Sequence, residues 1–369
     1  MRNNLKFLFL VFISNGLAFC SRTEYAPMED EVSTMVDGLC SLRVATYGYP
    51  CEEHTVTTAD GYILSVQRMP SGVSNQTSGD KMPVLLQHGL LMDGVTWLYN
   101  SPDKSLAFLL ADNGFDVWIA NARGTRYSQG HTSLNTDDPA YWEWSWDELV
   151  TYELPAIVQY VNEETSQRLH FVGHSLGSLV ALASFSQAKQ VKLLRSAALL
   201  APITHLGNVF STLARDASEA YIAEGIYESG FHEFDINGEL VTNLLDTTCK
   251  EKGLNCFDMM TSLTGQNCCL NSLNTAVLLN NEPQLSTTKN MIHISQNIPN
   301  DFPLFLSYGG ADAICNRKDV KLLLNDLTNH DGDKLVVQYR EDYAHADFVM
   351  AEDAKQAIYD PLITFFKLQ

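Results

Sequence analysis

The sequence predicts an α/β protein with a mostly parallel central sheet, helices on both of its faces and a helical cap inserted late in the chain. Two observations carry this. MPVLLQ, FDVWIA, LHFVG, SAALLA, FPLFLSY and KLVVQY are short apolar runs, several of them separated by segments of helical length. Strands that are apolar throughout, instead of alternating, are covered on both faces, as crossover helices cover a parallel sheet. The second observation is where this rhythm stops. Between Ala201 and Pro303 there are helical patterns and a cysteine cluster but no clear strand, so 205–297 reads as an insertion dividing a core of 21–204 and 298–369.

The N-terminal residues are different in kind. Arg2 and Lys6 precede an apolar run ending at Ile13, followed by small residues near Ala18 and Cys20, which reads as a secretory signal peptide over 1–20. The run is shorter than the about 20 residues a membrane span requires, and no later segment qualifies. The expectation is a protein of the secretory route, extracellular or in a lysosome or vacuole. Removing Arg2 and Lys6 lowers Lys+Arg from 24 to 22 against 44 Asp+Glu, so the formal charge goes from −20 to −22. That charge argues against nucleic acid as a partner and against electrostatic attraction to anionic membranes.

The core begins with a hairpin. HTVTTADGYILSVQRM alternates on either side of Ala59, Asp60 and Gly61, a turn flanked by half-buried strands. Export permits disulfides, and Cys40 and Cys51 bracket a short turn-rich segment just before it. Cys249, Cys256, Cys268 and Cys269 cluster in the insertion, where sequence leaves their pairing open. Neighbouring Cys268 and Cys269 are expected to take separate partners, because a bridge between adjacent residues strains the backbone. Cys315, alone in its region, is the odd thiol. The cluster has no CxxC pair and no histidine at ligand spacing, so no metal is expected. Asn75 in NQT is a glycosylation candidate within a Gly/Ser-rich turn.

LHFVGHSLGSLV joins a buried strand to a helix through GHSLG. A serine on such a turn stands at the carboxyl edge of the sheet with its hydroxyl exposed and a helix N-terminus behind it, while Gly173 and Gly177 let neighbouring backbones approach. Ser175 is therefore the candidate nucleophile. A serine hydroxyl is inert until a base takes its proton and an acid orients that base. His345, in the loop after KLVVQY, is the candidate base, and Asp312, directly after FPLFLSY, the candidate acid. His330 in NHDGD reads as a solvated loop residue, and Asp319 and Asp326 as water-facing helix positions. Attack on a carbonyl builds negative charge on its oxygen, which needs fixed N–H donors. Leu176, after the nucleophile, and Leu90 in QHGLL, after the strand MPVLLQ, are the backbone candidates. His88 precedes the serine, and its HG pair reads as shaping the turn.

Taken together, GYPCEEHTVTTADGYIL, QHGLL, ANARGTRYS, WSWDEL, GHSLG, NMIHISQ, SYGGADA and YAHADFV resemble the acid lipase family of eukaryotes, which includes gastric, lysosomal and plant triacylglycerol lipases. The resemblance runs from about Val36 to Phe366. It implies an α/β-hydrolase fold with a helical cap, no cofactor, and hydrolysis of neutral lipid esters at a lipid–water interface, with Ser175, Asp312 and His345 as triad and Leu90 and Leu176 as oxyanion donors. Steryl esters are the alternative substrate. The chain departs from the family pattern after Gln296, where a Tyr- and Pro-rich segment is missing, and at 313–316, where AICN replaces a Leu-Ser-Asp run. The shortened return implies a displaced cap edge and an impaired hydrolase as the alternative to an active one.

Other conspicuous residues read as structural. Trp142, Trp144 and Trp146 are expected as packing anchors, and Arg123 as a member of an internal ion pair. Met259, Met260 and Leu263 are either an acyl-contacting surface or cap core.

Overall fold

Burial at every position of PVLLQ, DVWIA and LHFVGH marks the centre of the sheet, where strands are covered on both faces. The computed structural model describes residues 38–74, 80–186, 191–203, 301–328 and 330–369, together with residues 227, 232–235, 261, 264–270 and 284–287 of the insertion. The signal peptide over 1–20, Asn75, Cys249, Cys256, the Met259, Met260 and Leu263 group and the return after Gln296 lie outside the described residues.

The strands are β1 (Glu52–Thr57), β2 (Tyr62–Met69), β3 (Pro83–Gln87), β4 (Asp116–Ala120), β5 (Leu169–His174), β6 (Leu194–Leu200), β7 (Leu304–Gly309) and β8 (Leu335–Arg340). Among the described residues they form a nine-stranded sheet in the order β1-β2-β4-β3-β5-β6-β7-β8, the ninth member being a two-residue strand, Gly130–His131, beside β2. β1 and β2 are the expected antiparallel hairpin, and β2 joins β4 antiparallel. From β4 to β8 every pairing is parallel. Alternate residues of each strand enter opposite cores. Val84 and Leu86 of β3 pack with Trp97, Phe108 and Phe348, while Leu85 packs with Trp118, Ile157 and Phe185. β8 departs from the buried-strand expectation: Val336 and Val337 are 41% and 42% exposed, because the strand lies at the end of the sheet.

Helices α1 (Leu106–Asp112), α2 (Leu154–Thr165), α3 (Leu176–Ser186), α4 (Arg317–Asp326) and α5 (Asp360–Lys367) supply the covering layers. Trp142, Trp144 and Trp146 are buried in the second core, as packing anchors. Arg123 is also internal, its side chain fully shielded. Its Nη1 lies 2.6 Å from Asp60 Oδ2 and its Nε 3.0 Å from Glu153 Oε2, and the guanidinium sits 4.0 Å from the centre of the Tyr62 ring.

Four expectations are corrected. Cys268 and Cys269 are bonded to each other; the N–H groups of both donate to the Asp347 carboxylate, at 3.1 and 3.3 Å, which holds the two residues in one local turn. Cys40 and Cys51 pair as expected and Cys315 is free and buried. Within the insertion Glu233–Phe234 pairs antiparallel with Ser286–Thr287, strands too short to show an alternation. His330 is buried and its Nε2–H donates to Phe302 O at 2.9 Å. Asp319 is also buried: it occupies the first turn of α4, where unpaired N–H groups and the positive end of the helix favour a carboxylate, beside buried Val320 and Leu323.

Replacing Arg123 by Met leaves the carboxylate of Glu153 enclosed without its cation, and burial already pushes that carboxyl up against the opposing pull of Arg123. Urea unfolding of Arg123→Met should show a loss of about 3–5 kcal/mol. A loss below about 1 kcal/mol, the value of an exposed pair, would mean that water reaches Glu153.

Candidate active site

Ser175 follows β5 with φ 54°, the left-handed region that a non-glycine residue enters only when its surroundings hold it there. The hold is visible. Its N–H donates to Leu200 O at 3.0 Å, and its own carbonyl accepts from Ser178 and Leu179 of α3 at 3.0 and 3.2 Å. A Cβ at Gly173 would lie 2.7 Å from the Gly177 carbonyl carbon, and one at Gly177 only 2.5 Å from Gln87 O. These two positions have no space for a side chain, which explains the glycines on either side of the serine.

The parallel strands deliver the other candidates to the same edge. Asp312 follows β7 and His345 follows β8. His345 Nε2 is 2.7 Å from Ser175 Oγ, and its Nδ1 is 2.9 Å from Asp312 Oδ2 and 3.1 Å from Oδ1. With Nδ1–H donating to the carboxylate, Nε2 is the nitrogen left to accept the serine proton. Asp312 Oδ1 also accepts the N–H groups of Ile314 and Cys315, at 2.9 and 2.7 Å, which orients the carboxylate and places Cys315 beside it. Burial, with Asp312 adding to it, raises the Cys315 thiol well above its usual range, and its Sγ–H donates to Pro202 O at 3.0 Å.

Leu176 opens α3, where N–H groups lack intrahelical acceptors, and Leu90 lies in the turn after β3. No acceptor among the described residues takes either N–H. The Leu90 turn is close to the serine: a Cβ at Gly89 would lie 3.0 Å from Ser175 Cβ. Behind it, a cavity roomy enough for one water is lined by His88, Glu153, Leu176 and Gly177.

Two further histidines surround the serine without a carboxylate. His88 Nδ1–H donates to Gly89 O at 2.8 Å and its Nε2 accepts from Ala122 N at 3.0 Å, so both ring nitrogens are used in shaping the turn. Burial pulls it down to about 4. His174 was not distinguished in the sequence from any other spacer in GHSLG, yet its Nε2–H donates to His345 O at 3.0 Å; burial first, then the nearby His345, pulls it down to about 3. Cys268, Cys269 and Asp347 offer donor atoms within 4.8 Å of one another. The sulfurs are bonded together and the carboxylate accepts the N–H groups of Ala344, Cys268 and Cys269, so these donors are already engaged.

Comparison with known proteins adds the following. Residues 40–101 match the family described as partial alpha/beta-hydrolase lipase region, and residues 82–225 match the alpha/beta hydrolase fold. The chain is 42% identical to triacylglycerol lipase 2 of Arabidopsis thaliana over 91% of its own length and 89% of that protein's. It is 30% identical to gastric triacylglycerol lipase of Bos taurus over 95% of each. A putative lipase from Sulfolobus solfataricus superposes with a TM-score of 0.56 at 15% identity, covering 86% of this chain and 99% of that one. The Pyrococcus furiosus esterase Pf2001 superposes at 0.52 with 14% identity, over 88% and 92%. These two structures show the shared fold.

The buried histidines set an acid limit on stability. His88 at about 4, and His170 and His174 at about 3, bind protons less readily than the ordinary value of 6.5 that they regain on unfolding. Their contribution is present above 6.5 and is lost as pH falls toward the folded values. Each should lose about 2 kcal/mol between pH 6.5 and 4.5. His170 donates or accepts with Ser196 Oγ at 2.8 Å and stacks on Phe366. Melting curves of wild type and of His170→Phe with Ser196→Ala, taken from pH 7.5 to 4.5, should show a shallower decline in the variant. Parallel declines would assign the pH sensitivity to other groups.

Proposed function

The chain belongs to the acid lipase family, whose α/β-hydrolase fold it shares, and on that footing we propose that it hydrolyses triacylglycerols through an acyl-enzyme on Ser175. The observation that carries the reading is the continuous line from Ser175 Oγ through His345 to Asp312, at 2.7 and 2.9 Å. His345 Nε2 takes the hydroxyl proton as Oγ bonds to the ester carbonyl carbon. Asp312 balances the imidazolium that results, and the N–H groups of Leu90 and Leu176 receive the oxyanion. Collapse of the tetrahedral species breaks the bond to the glycerol oxygen, which leaves with the proton from His345. Water then gives a proton to the same nitrogen, attacks the acyl carbon and releases the fatty acid, and His345 returns the proton to Ser175. No cofactor enters these steps.

The substrate meets the enzyme at a lipid–water interface. No helix among the described residues is long and apolar enough to cross a membrane. The Cys40–Cys51 disulfide supports passage through an oxidising compartment to the cell exterior, a lysosome or a vacuole.

Ser175→Ala should abolish both labelling by a fluorophosphonate probe and ester turnover while leaving the melting temperature near that of wild type. Labelling that survives would place the nucleophile elsewhere. Asp312→Asn should lower turnover by about 10⁴, through loss of the histidine tautomer and of charge support. A loss below tenfold would point to a different acid. Parallel assays on triolein and a cholesteryl ester decide the alcohol: preference for the sterol would replace the triacylglycerol assignment.

A further inference from the structure

The loops that carry Asp312 and His345 leave neighbouring strands and are bonded directly as far as Gly310 N–H to Arg340 O at 2.8 Å and Ala311 N–H to Tyr343 O at 3.1 Å, short of the acid and the base themselves. Part of the insertion joins them. The carbonyl of Thr264 accepts two N–H groups, from Ala313 at 3.2 Å and from His345 at 3.1 Å, using both lone pairs of one oxygen. Gly265 forms an antiparallel bridge with Asp312. It does so at φ 99°, so close that a Cβ there would lie 2.1 Å from Ala311 O. Asn267 Nδ2 steadies the segment from within, donating to Thr264 Oγ1 at 2.8 Å and to Gly265 O at 3.2 Å. Further along, the amides of Cys268 and Cys269 reach the Asp347 carboxylate, which also accepts Ala344 N–H at 2.8 Å, and Cys269 O accepts Glu352 N–H at 3.0 Å. The bond between the two sulfurs keeps those amides side by side.

A second segment of the insertion reaches the Leu90 turn. Gln284 N–H donates to Leu91 O at 2.8 Å, and its Oε1 accepts Arg126 N–H at 3.0 Å, while Arg126 Nε pairs with Asp93 Oδ2 at 2.9 Å. Leu91 is itself held at φ 59°.

We propose that residues 264–269 are a strap that sets the distance between acid and base, with Thr264 a positioning residue for both Asp312 and His345. The inference rests on the triad assignment above. It makes this part of the insertion a contributor to the chemical step in addition to whatever lipid contacts the insertion makes. The direct bonds between the loops stop at Ala311 and Tyr343, and the strap extends the constraint to Ala313 and His345, limiting local opening at the two residues whose spacing the proton transfer depends on.

The test is Gly265→Ala in the full-length chain, compared with wild type and with Gly332→Ala, a control position that has open space around it. The readout is turnover of a short soluble ester per serine titrated with a fluorophosphonate, with KM and melting temperature measured on the same preparations. Displacing the strap should lower kcat per titrated site about 10- to 100-fold with KM changed less than about twofold, as expected for misplacement of about 1 Å. Asn267→Ala, which loosens the strap without a clash, should lower kcat per site several-fold. Unchanged kcat per site in folded Gly265→Ala, even with a lower melting temperature, would overturn the proposal. Should Gly265→Ala fail to fold, unchanged kcat in Asn267→Ala would overturn it equally. A wild-type chain that neither labels nor turns over fails the Ser175 assignment, and the strap's role with it.

Discussion

The backbone of Ser175 is the constraint on which the site depends. A left-handed residue directly after a buried strand turns the chain sharply into α3, and the turn is possible only where neighbouring backbones can come close. That requirement explains Gly173 and Gly177, each of which meets backbone within 3 Å of where a Cβ would stand. It also ties the turn to both adjoining strands. The end of β3 lies against Gly177, and β6 accepts the Ser175 N–H at Leu200. Parallel pairing then does the rest, because it brings the carboxyl ends of β3, β5, β7 and β8 to one edge. Leu90, Ser175, Asp312 and His345 are all residues that follow those ends.

Three histidines crowd this edge, and their surroundings separate their roles. His88 spends one nitrogen as donor and the other as acceptor on main-chain groups, and His174 donates to the carbonyl of His345. Both are enclosed without an anion, and enclosure favours the neutral ring. His345 alone of the three faces a carboxylate through one nitrogen and the serine through the other. The same chemistry of burial that makes two of them inert as bases therefore makes them dependable as spacers.

The fold was legible wherever a local pattern has a single physical meaning. Unbroken apolar runs marked the covered strands, KLVVQY at the end of the sheet excepted, and GHSLG between such a run and a helix marked a tight turn. The order of serine, acid and histidine then left few candidates, and the structure brings the same three together. What was not legible depended on contacts distant in sequence. His330 sits in a turn-like NHDGD, but its burial is decided by Phe302. Asp319 shares a helix with Asp326, which does face water; only packing of that helix against the sheet distinguishes them. The Cys268–Cys269 bond lies in a turn whose amides are held by the Asp347 carboxylate, many residues later. Thr264 has no signal at all, since its function is carried by a backbone carbonyl that any residue would possess.

The core and the insertion are therefore difficult to treat as separate parts. The chain leaves the sheet after β6 through Pro202, whose carbonyl accepts the thiol of Cys315 next to the acid. It returns to the serine's neighbourhood at Thr264, Gly265 and Gln284, against the acid, base and Leu90 loops. Each of these contacts is made by backbone or by a buried side chain. Loss of the whole insertion would accordingly remove support from three loops at once, and a fall in activity on every substrate after such a deletion would report lost support as much as lost lipid recognition. Only a change confined to one strap, with the rest of the insertion intact, separates the two effects.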